Sequence, residues 1–423
     1  MVVINGNYRE LTLDNGLVIA LQNTPTGTVF SRLRVHHGSS HEDGDERGLS
    51  HFLEHCLIDG GAETLLPSEI KKIKGSWGYH NASTGVRATV FEAELLQEDV
   101  GDWLRVVSKG IFFPEFDNGV VEQERQRVLR EIEMRRADPH YASWQSFKSA
   151  MCRGHPVGRD TVGETKIIHV ASVDALRVLH GRGYGASNMD LVLVGDLPDD
   201  IDERVTDCFG RGPSGSNNRL QFPILSPLDS MKFLHSKMPQ TTGEGGAQAA
   251  IALGLIGIPQ THKDDYAIQI LFRVLGGSSN SRLHERMSSR EGLTYDVSTT
   301  YTSEHNAPFS VTQTSVPAGK WDEAVDMMFE EMHKLRSDGA TERELEGVKK
   351  RMRFNVARAI QTNQDHISTI YEKWETGRDL NDFLDGYDSV TLNDITRVAR
   401  KYLPEGRKNG RYVLSVRDPL KED

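Results

Sequence analysis

Cysteine is scarce in this 423-residue chain: there are only Cys56, Cys152 and Cys208, widely spaced and odd in number. They form no CxxC pair, which argues against a disulfide scaffold and fits small buried thiols in a reducing compartment. Long apolar runs are missing too. No stretch approaches the roughly eighteen uncharged apolar residues of a bilayer-spanning helix, and the best candidate, "AAIALGLIGI" at 249–258, reads as a buried strand. A soluble protein without a membrane partner is expected. Positive charge is also short, with 50 Lys and Arg against 61 Asp and Glu and a net charge of −11. That balance leaves no basic footprint for nucleic acid and repels anionic lipid. The opening residues, "MVVINGNYRELTLDNGL", lack the basic-then-apolar order of a secretory signal and the Arg/Ser bias of a transit sequence. A cytoplasmic location is the expectation.

The length calls for two domains. Between 211 and 230 the sequence "RGPSGSNNRLQFPILSPLDS" crowds Gly, Pro, Ser and Asn without an apolar period, the composition of an extended linker. We therefore expect a first domain over 1–212, a linker over 213–230 and a second domain over 231–423. Each half opens with strand-like alternation, passes a Gly-rich turn and a short helix, returns to strands and ends in amphipathic helices. In one pair of matching helices, Val100, Trp103, Leu104 and Val107 share the spacing of Trp321, Ala324, Val325 and Met328. Such one-sided stripes are core packing. The pattern predicts an α+β protein of two homologous domains, each with helices layered on a mostly antiparallel sheet.

The stretch "GLSHFLEHCL" at 48–57 places His51, Glu54 and His55 within five positions. On a helix, residues four apart differ by roughly 40° around the axis, so both histidines project from one face about a turn apart. Neutral imidazoles suit zinc, and Glu54 can reach a water on the ion without ligating it. A chain of this His and Glu content contains HxxEH by chance roughly once in twenty, so a polar helix end is the alternative for these five residues alone. The preceding "GDERGLS" supplies a turn, with Ser50 as the expected helix cap.

Beyond the motif, the chain resembles the pitrilysin/insulinase family of zinc peptidases, and by length its mitochondrial processing peptidase branch of short subunits. The family carries an inverted HxxEH and a distal glutamate ligand 76 residues after the second histidine, a position held here by Glu131 in "VEQERQRVLREIE". Seven residues earlier on the same predicted helix face stands Glu124, matching a family glutamate that supports the ligands without touching the metal. The segment "GYHNASTGVRATVFEAEL" matches the strand that binds extended substrate, with Asn81 and Ala82 at the contacting positions. "GHPVGRDTVGETKIIHV", "YGASNMDLVLVGDL" and "DDYAIQILFRVLGGSSNSRLHERMSSREGLTYDVS" extend the likeness over nearly the whole chain. The resemblance implies a zinc-dependent endopeptidase that cleaves unstructured peptides inside a clamshell chamber, with one Zn2+ per chain and Glu54 activating a zinc-bound water. It also implies that Tyr295 holds the substrate carbonyl.

There are two departures from the family pattern. The second half has no HxxEH, and its helix matching the one with Glu131 carries Lys349, Lys350 and Arg351 where a carboxylate would be needed. The family also places an Arg seven residues before the tyrosine, whereas position 288 is Ser288 and the nearby Arg286 and Arg290 are out of register. The implied chamber needs four domains, hence a homodimer or a heterodimer with a related non-catalytic subunit. Two further functions stay open: a maturation peptidase for one leader peptide, and a structural subunit that keeps only the fold. The cluster His36, His37 and His41 lacks ligand spacing and is expected on loop and strand surface. "LGGSSNSRL" matches no phosphate-loop pattern and is read as a turn.

Overall fold

The computed structural model describes residues 8–238, 247–408 and 410–419. Six strands, β1 (Tyr8–Thr12), β2 (Val18–Asn23), β3 (Val29–Val35), β4 (Tyr79–Thr84), β5 (Thr89–Leu95) and β6 (Met189–Gly195), form one sheet in the spatial order β1-β2-β6-β3-β5-β4. Five more, β7 (Lys232–Met238), β8 (Gln248–Ile256), β9 (Val297–Thr302), β10 (Phe309–Pro317) and β11 (Val413–Pro419), form a second in the order β7-β11-β8-β10-β9. From β2 in one sheet and β7 in the other, the pairing is the same: one parallel step followed by three antiparallel ones. The duplication visible in the sequence is therefore a duplicated sheet, and the α+β class with largely antiparallel pairing holds.

The chain divides into two compact units. One comprises the residues up to Met134, Arg159–Gln221 and Ala357–Asp379, and the other Arg135–Gly158, Phe222–Val356 and the residues from Leu380 onward. In the first unit, the inner sheet face (Ile19, Leu21, Leu33, Phe91) packs with Phe52 and Leu53 and with the stripe Val100, Trp103, Leu104 and Val107. The outer face, with Ala20, Phe30, Val192 and Val194, is covered by Ile367, Ile370 and Tyr371 of the helix Asn363–Thr376. Because both faces are covered, every residue of β6 is buried, as in a central strand between two layers. Asn363 fastens this helix by donating to Thr26 Oγ1 at 2.9 Å and to the Thr28 carbonyl at 3.0 Å.

The second unit repeats the arrangement. Its inner face packs on Ala324, Val325 and Met328. Its outer face takes the helix Pro139–Met151 through Phe147 and Met151. Gly254 in β8 is required there, since a Cβ would overlap the Phe147 ring. Residues 213–230 carry no regular secondary structure, yet Phe222, Leu225 and Leu228 are buried. Cys56 and Cys152 are buried thiols and Cys208 is half-buried. Among the described residues, no helix is long and apolar enough to cross a membrane.

The histidine cluster after β3 corrects one expectation, because it is not a surface feature. His36 and His37 are buried and His41 is half-buried. His36 Nε2 lies 2.6 Å from Asp190 Oδ2 of β6, and His37 stacks on His41 with centroids 4.7 Å apart, beneath Gly183. Burial pushes the His37 imidazolium down to about 3, so this ring is a neutral packing element. The segment after β3 is tucked against β6 and the start of the Gly183–Tyr184 turn, a long-range packing that local polarity does not reveal.

Candidate metal centre

The helix Leu49–Cys56 is short and nearly enclosed, with Phe52, Leu53 and Cys56 fully buried in the core. It is not capped by Ser50, which lies within it. Gly48 is the cap residue, at φ 96°, and a Cβ there would collide with Gly163. The free amides of the first turn are instead met by a side chain from upstream: Glu42 accepts from Gly48 N at 2.9 Å and from Ser50 N at 2.7 Å. Ser50 fails as a cap because its own backbone is already helical, which leaves its side chain no geometry from which to reach the N3 amide. Glu42 is only 4% exposed, and this burial pushes its carboxyl up to about 7 despite the two accepted bonds.

The second element is the helix Asn118–Ala137, started by Asp117, whose Oδ1 accepts from Val120 N at 3.0 Å. Val121, Val128, Leu129 and Ile132 bury one face, and Glu124 lies on that face 4% exposed. Arg125 ties the helix in place, with its guanidinium carbon 5.2 Å from the Phe52 ring centroid and Nη2 donating to the Ala171 carbonyl at 2.7 Å. This packing sets the carboxylates of one helix against the imidazoles of the other.

His51 Nε2 and His55 Nε2 lie 3.3 Å apart, and Glu131 Oε2 is 3.6 Å from the first and 3.5 Å from the second. Four ligands at about 2.1 Å from a tetrahedral zinc are separated by about 3.4 Å, so these three atoms have the edge lengths of one face of such a polyhedron. The donor set of two imidazoles and a carboxylate is also one that zinc accepts in sites with an open fourth position. The residues therefore fit the ion. Among the described residues, this is the only group of three or more His, Cys, Asp or Glu side chains that converges in this way.

Glu124 Oε2 accepts from His55 Nδ1 at 3.2 Å, which fixes the proton on Nδ1 and turns the Nε2 lone pair toward His51 and Glu131. Arg127 holds the other oxygen of Glu124 at 2.8 Å. Burial alone would lower the His55 pKa, but Glu124 and Glu131 outweigh it and raise it to about 9. Positive charge is favoured at this point. Glu54 is half-buried beside the site, and its Oε2 accepts from the Thr84 hydroxyl at 2.8 Å.

The other expected residues are placed as follows. Asn81 and Ala82 lie in β4, the edge strand of the first sheet, with Asn81 exposed and Ala82 half-buried. Tyr295 precedes β9 in the second unit and is 96% exposed. Ser288 donates its hydroxyl to the Tyr295 carbonyl at 3.3 Å. Arg286 pairs with Glu291 at 2.7 Å and Glu330 at 3.6 Å, and Arg290 with Glu285 at 3.0 Å. In the helix Glu342–Arg358, the buried positions Leu345, Met352 and Val356 match Val121, Val128 and Ile132, so Val348 and Asn355 stand at the places of Glu124 and Glu131. The basic run lies off that register, and Lys349 is buried with its ammonium on the Asp388 carbonyl at 3.0 Å. Sequence reading missed Glu42 and Thr84, since a lone acid in a polar loop and a strand-end threonine give no local signal.

Known proteins resemble this chain in both sequence and fold. Residues 17–165 match the model of the insulinase family (peptidase family M16), and residues 171–352 match that of the peptidase M16 inactive domain. The chain is 24% identical over 418 residues to the uncharacterized zinc protease YmxG of Bacillus subtilis, covering 97% of this chain and 98% of that protein. Its fold is similar to that of a protease from Helicobacter pylori, at a TM-score of 0.85 and 19% identity over 98% of this chain and 100% of that one. It is equally similar to a peptidase M16 inactive domain from Pseudomonas fluorescens, with a TM-score of 0.85 and 18% identity over 98% of each chain.

Proposed function

This chain belongs to the insulinase (M16) family of peptidases, and from that premise we propose that it is a zinc-dependent endopeptidase acting on unstructured peptides or small polypeptides. The observation that carries the reading is the convergence of His51, His55 and Glu131 at 3.3–3.6 Å, the edge lengths of a zinc coordination shell. These three residues would hold one ion per chain. Zinc, when bound, supplies Lewis acidity that polarises a carbonyl and makes water a stronger acid. Glu54 takes a proton from the attacking water and delivers it to the departing amine, a role worth roughly 100- to 10,000-fold in rate. Glu124 aims the His55 ring through Nδ1.

Substrate is held by β4. An extended peptide that adds to this edge gains backbone hydrogen bonds beside Asn81 and Ala82 whatever its side chains, which suits broad use of unfolded peptides. Tyr295, fully exposed, is available to donate to a carbonyl oxygen as charge develops there. In this reading residues 1–212, apart from 135–158 in the second unit, form the metal-binding domain, and 231–423, beyond the 213–230 linker and apart from 357–379 over the first sheet, line the chamber that a short subunit completes by pairing.

One observation favours a related non-catalytic partner over a homodimer. Arg286 and Arg290 are engaged with Glu291, Glu330 and Glu285, and Ser288 spends its hydroxyl on the Tyr295 backbone. A guanidinium beside the substrate carbonyl would then come from the partner. Incubating the zinc-loaded chain, alone and with a candidate partner, with a mixture of unstructured peptides tests the reading. Glu54→Gln is expected to keep its zinc and lose cleavage by at least roughly 100-fold. Full activity in that variant rejects the mechanism, and no cleavage in either arm favours a fold-retaining subunit or a single-substrate maturation enzyme.

A further inference from the structure

We propose that Thr84 is a positioning residue for Glu54, and that through it the strand offered to substrate also sets the proton-transfer group. The inference rests on the assignment of Glu54 above. Thr84 is the last residue of β4, and its Oγ1 lies 2.8 Å from Glu54 Oε2, 3.5 Å from the Ser50 carbonyl oxygen and 3.5 Å from Thr89 Oγ1.

A proton count decides which of these contacts is the bond. Thr89 sits directly across the β4–β5 ladder from Thr84, is fully buried, and commits its only hydroxyl proton to the His37 carbonyl at 2.8 Å. Toward Thr84 it can only accept. Thr84 therefore has one proton and three acceptors, of which the carboxylate is the nearest and the only charged one, and charge-assisted bonds are the stronger and shorter kind. The hydroxyl points at Glu54.

The backbone of Thr84 is fixed by pairing with β5, and its branched Cβ restricts the side chain to few rotamers. The Glu54 side chain turns about three torsions, so a fixed partner on its carboxylate narrows its range of positions. Asn81 and Ala82 lie three and two residues before Thr84 on the same strand, so a peptide added to β4 is registered against the element that holds the carboxylate. Such coupling places the attacking water and the scissile bond in a common frame, where small misplacements are costly.

The test compares Thr84→Val, which keeps the shape and removes the hydroxyl, with Thr84→Ser, which keeps the hydroxyl, alongside wild type and Glu54→Gln. Steady-state cleavage of a fluorogenic unstructured peptide and zinc stoichiometry are measured for each. Thr84→Val is expected to lose roughly 10- to 100-fold in kcat with KM within about 2-fold and zinc unchanged, the signature of a contact that serves the transition state. Thr84→Ser should recover to within about 3-fold of wild type. An unchanged kcat in Thr84→Val overturns the inference, and so do equal losses in both variants, which would point to packing instead of the hydroxyl. If Thr84→Val does not fold, Thr84→Ala against Thr84→Ser gives the same comparison, and a kcat ratio near one overturns it. An active Glu54→Gln, or a wild type inactive both alone and with the partner, removes the parent assignment and this inference with it, whereas an inactive Glu54→Gln beside a fully active Thr84→Val removes only the role of Thr84.

Discussion

Zinc should enter this site in exchange for a proton on His55. In the metal-free protein, burial works against the imidazolium, but the Glu124 and Glu131 carboxylates and the nearby Glu54 charge raise its pKa from 6.5 to about 9. At pH 7 the ring is then about 99% protonated, while a ligand must be neutral at Nε2. Affinity should therefore rise about tenfold per pH unit well below the pKa and level off above about pH 9, a gain of about 50-fold, or about 2.3 kcal/mol, between pH 7 and 9. A histidine of ordinary pKa would give almost no slope over that range. Competition with a chromophoric chelator at stepped pH measures the slope. Calorimetry in buffers of different ionisation enthalpy counts the protons, with cadmium preferred for the count because it acidifies water far less than zinc. At pH 8, about one proton released per ion is expected for the raised pKa and almost none for an ordinary one. A flat affinity from pH 7.5 to 9 together with no proton release would refute the reasoning. The same shift has a stability consequence. The raised pKa stabilises the metal-free fold fully below about pH 6.5, and up to about 3 kcal/mol of that is lost as pH rises through 9.

Three other outcomes are expected. Glu131→Gln removes the only anionic ligand and should weaken zinc by at least about 100-fold, so metal analysis after dialysis should fall well below one ion per chain, and full occupancy would remove Glu131 from the ligand set. Glu42, raised from 4.5 to about 7 by burial, favours the fold fully below about pH 4.5 and loses that contribution as pH rises through 7. Relative to wild type, Glu42→Gln should gain up to about 3 kcal/mol in urea unfolding at pH 8 compared with pH 4.5, and a pH-independent difference would contradict the assignment. Gly254→Ala forces a Cβ into the Phe147 ring and should cost about 1–3 kcal/mol, whereas a Tm within about 1 °C of wild type would show that the outer layer yields freely.

What could be read from the sequence follows from the range of each interaction. The stripes at Val100–Val107 and Trp321–Met328, the strand at 249–258 and the one-turn spacing of His51 and His55 are local periodicities, and the first two set the duplicated layers. Glu131 could not be reached in that way. It lies 76 residues from His55, on a helix whose acidic face reads as solvated, and only family likeness singled it out. Glu42 and Thr84 act through backbone amides and a single hydroxyl, contacts with no compositional signature. His36 and His37 looked superficial because polarity was taken as exposure, when Asp190 and the Tyr184 turn are brought over them by chain segments about 150 residues away. Amphipathic pattern likewise reveals that a helix has an apolar side without saying which sheet receives it.

That last point bears on how the protein is made. The helix Asn363–Thr376, which closes the outer face of the first sheet, is synthesised after most of the second sheet. While the ribosome is still extending the chain, Phe30, Val192 and Val194 of the nascent first unit remain without their covering layer. The amino-terminal half therefore cannot complete its fold as it emerges, and must wait, open to chaperones or to aggregation, until the chain has been translated through Thr376.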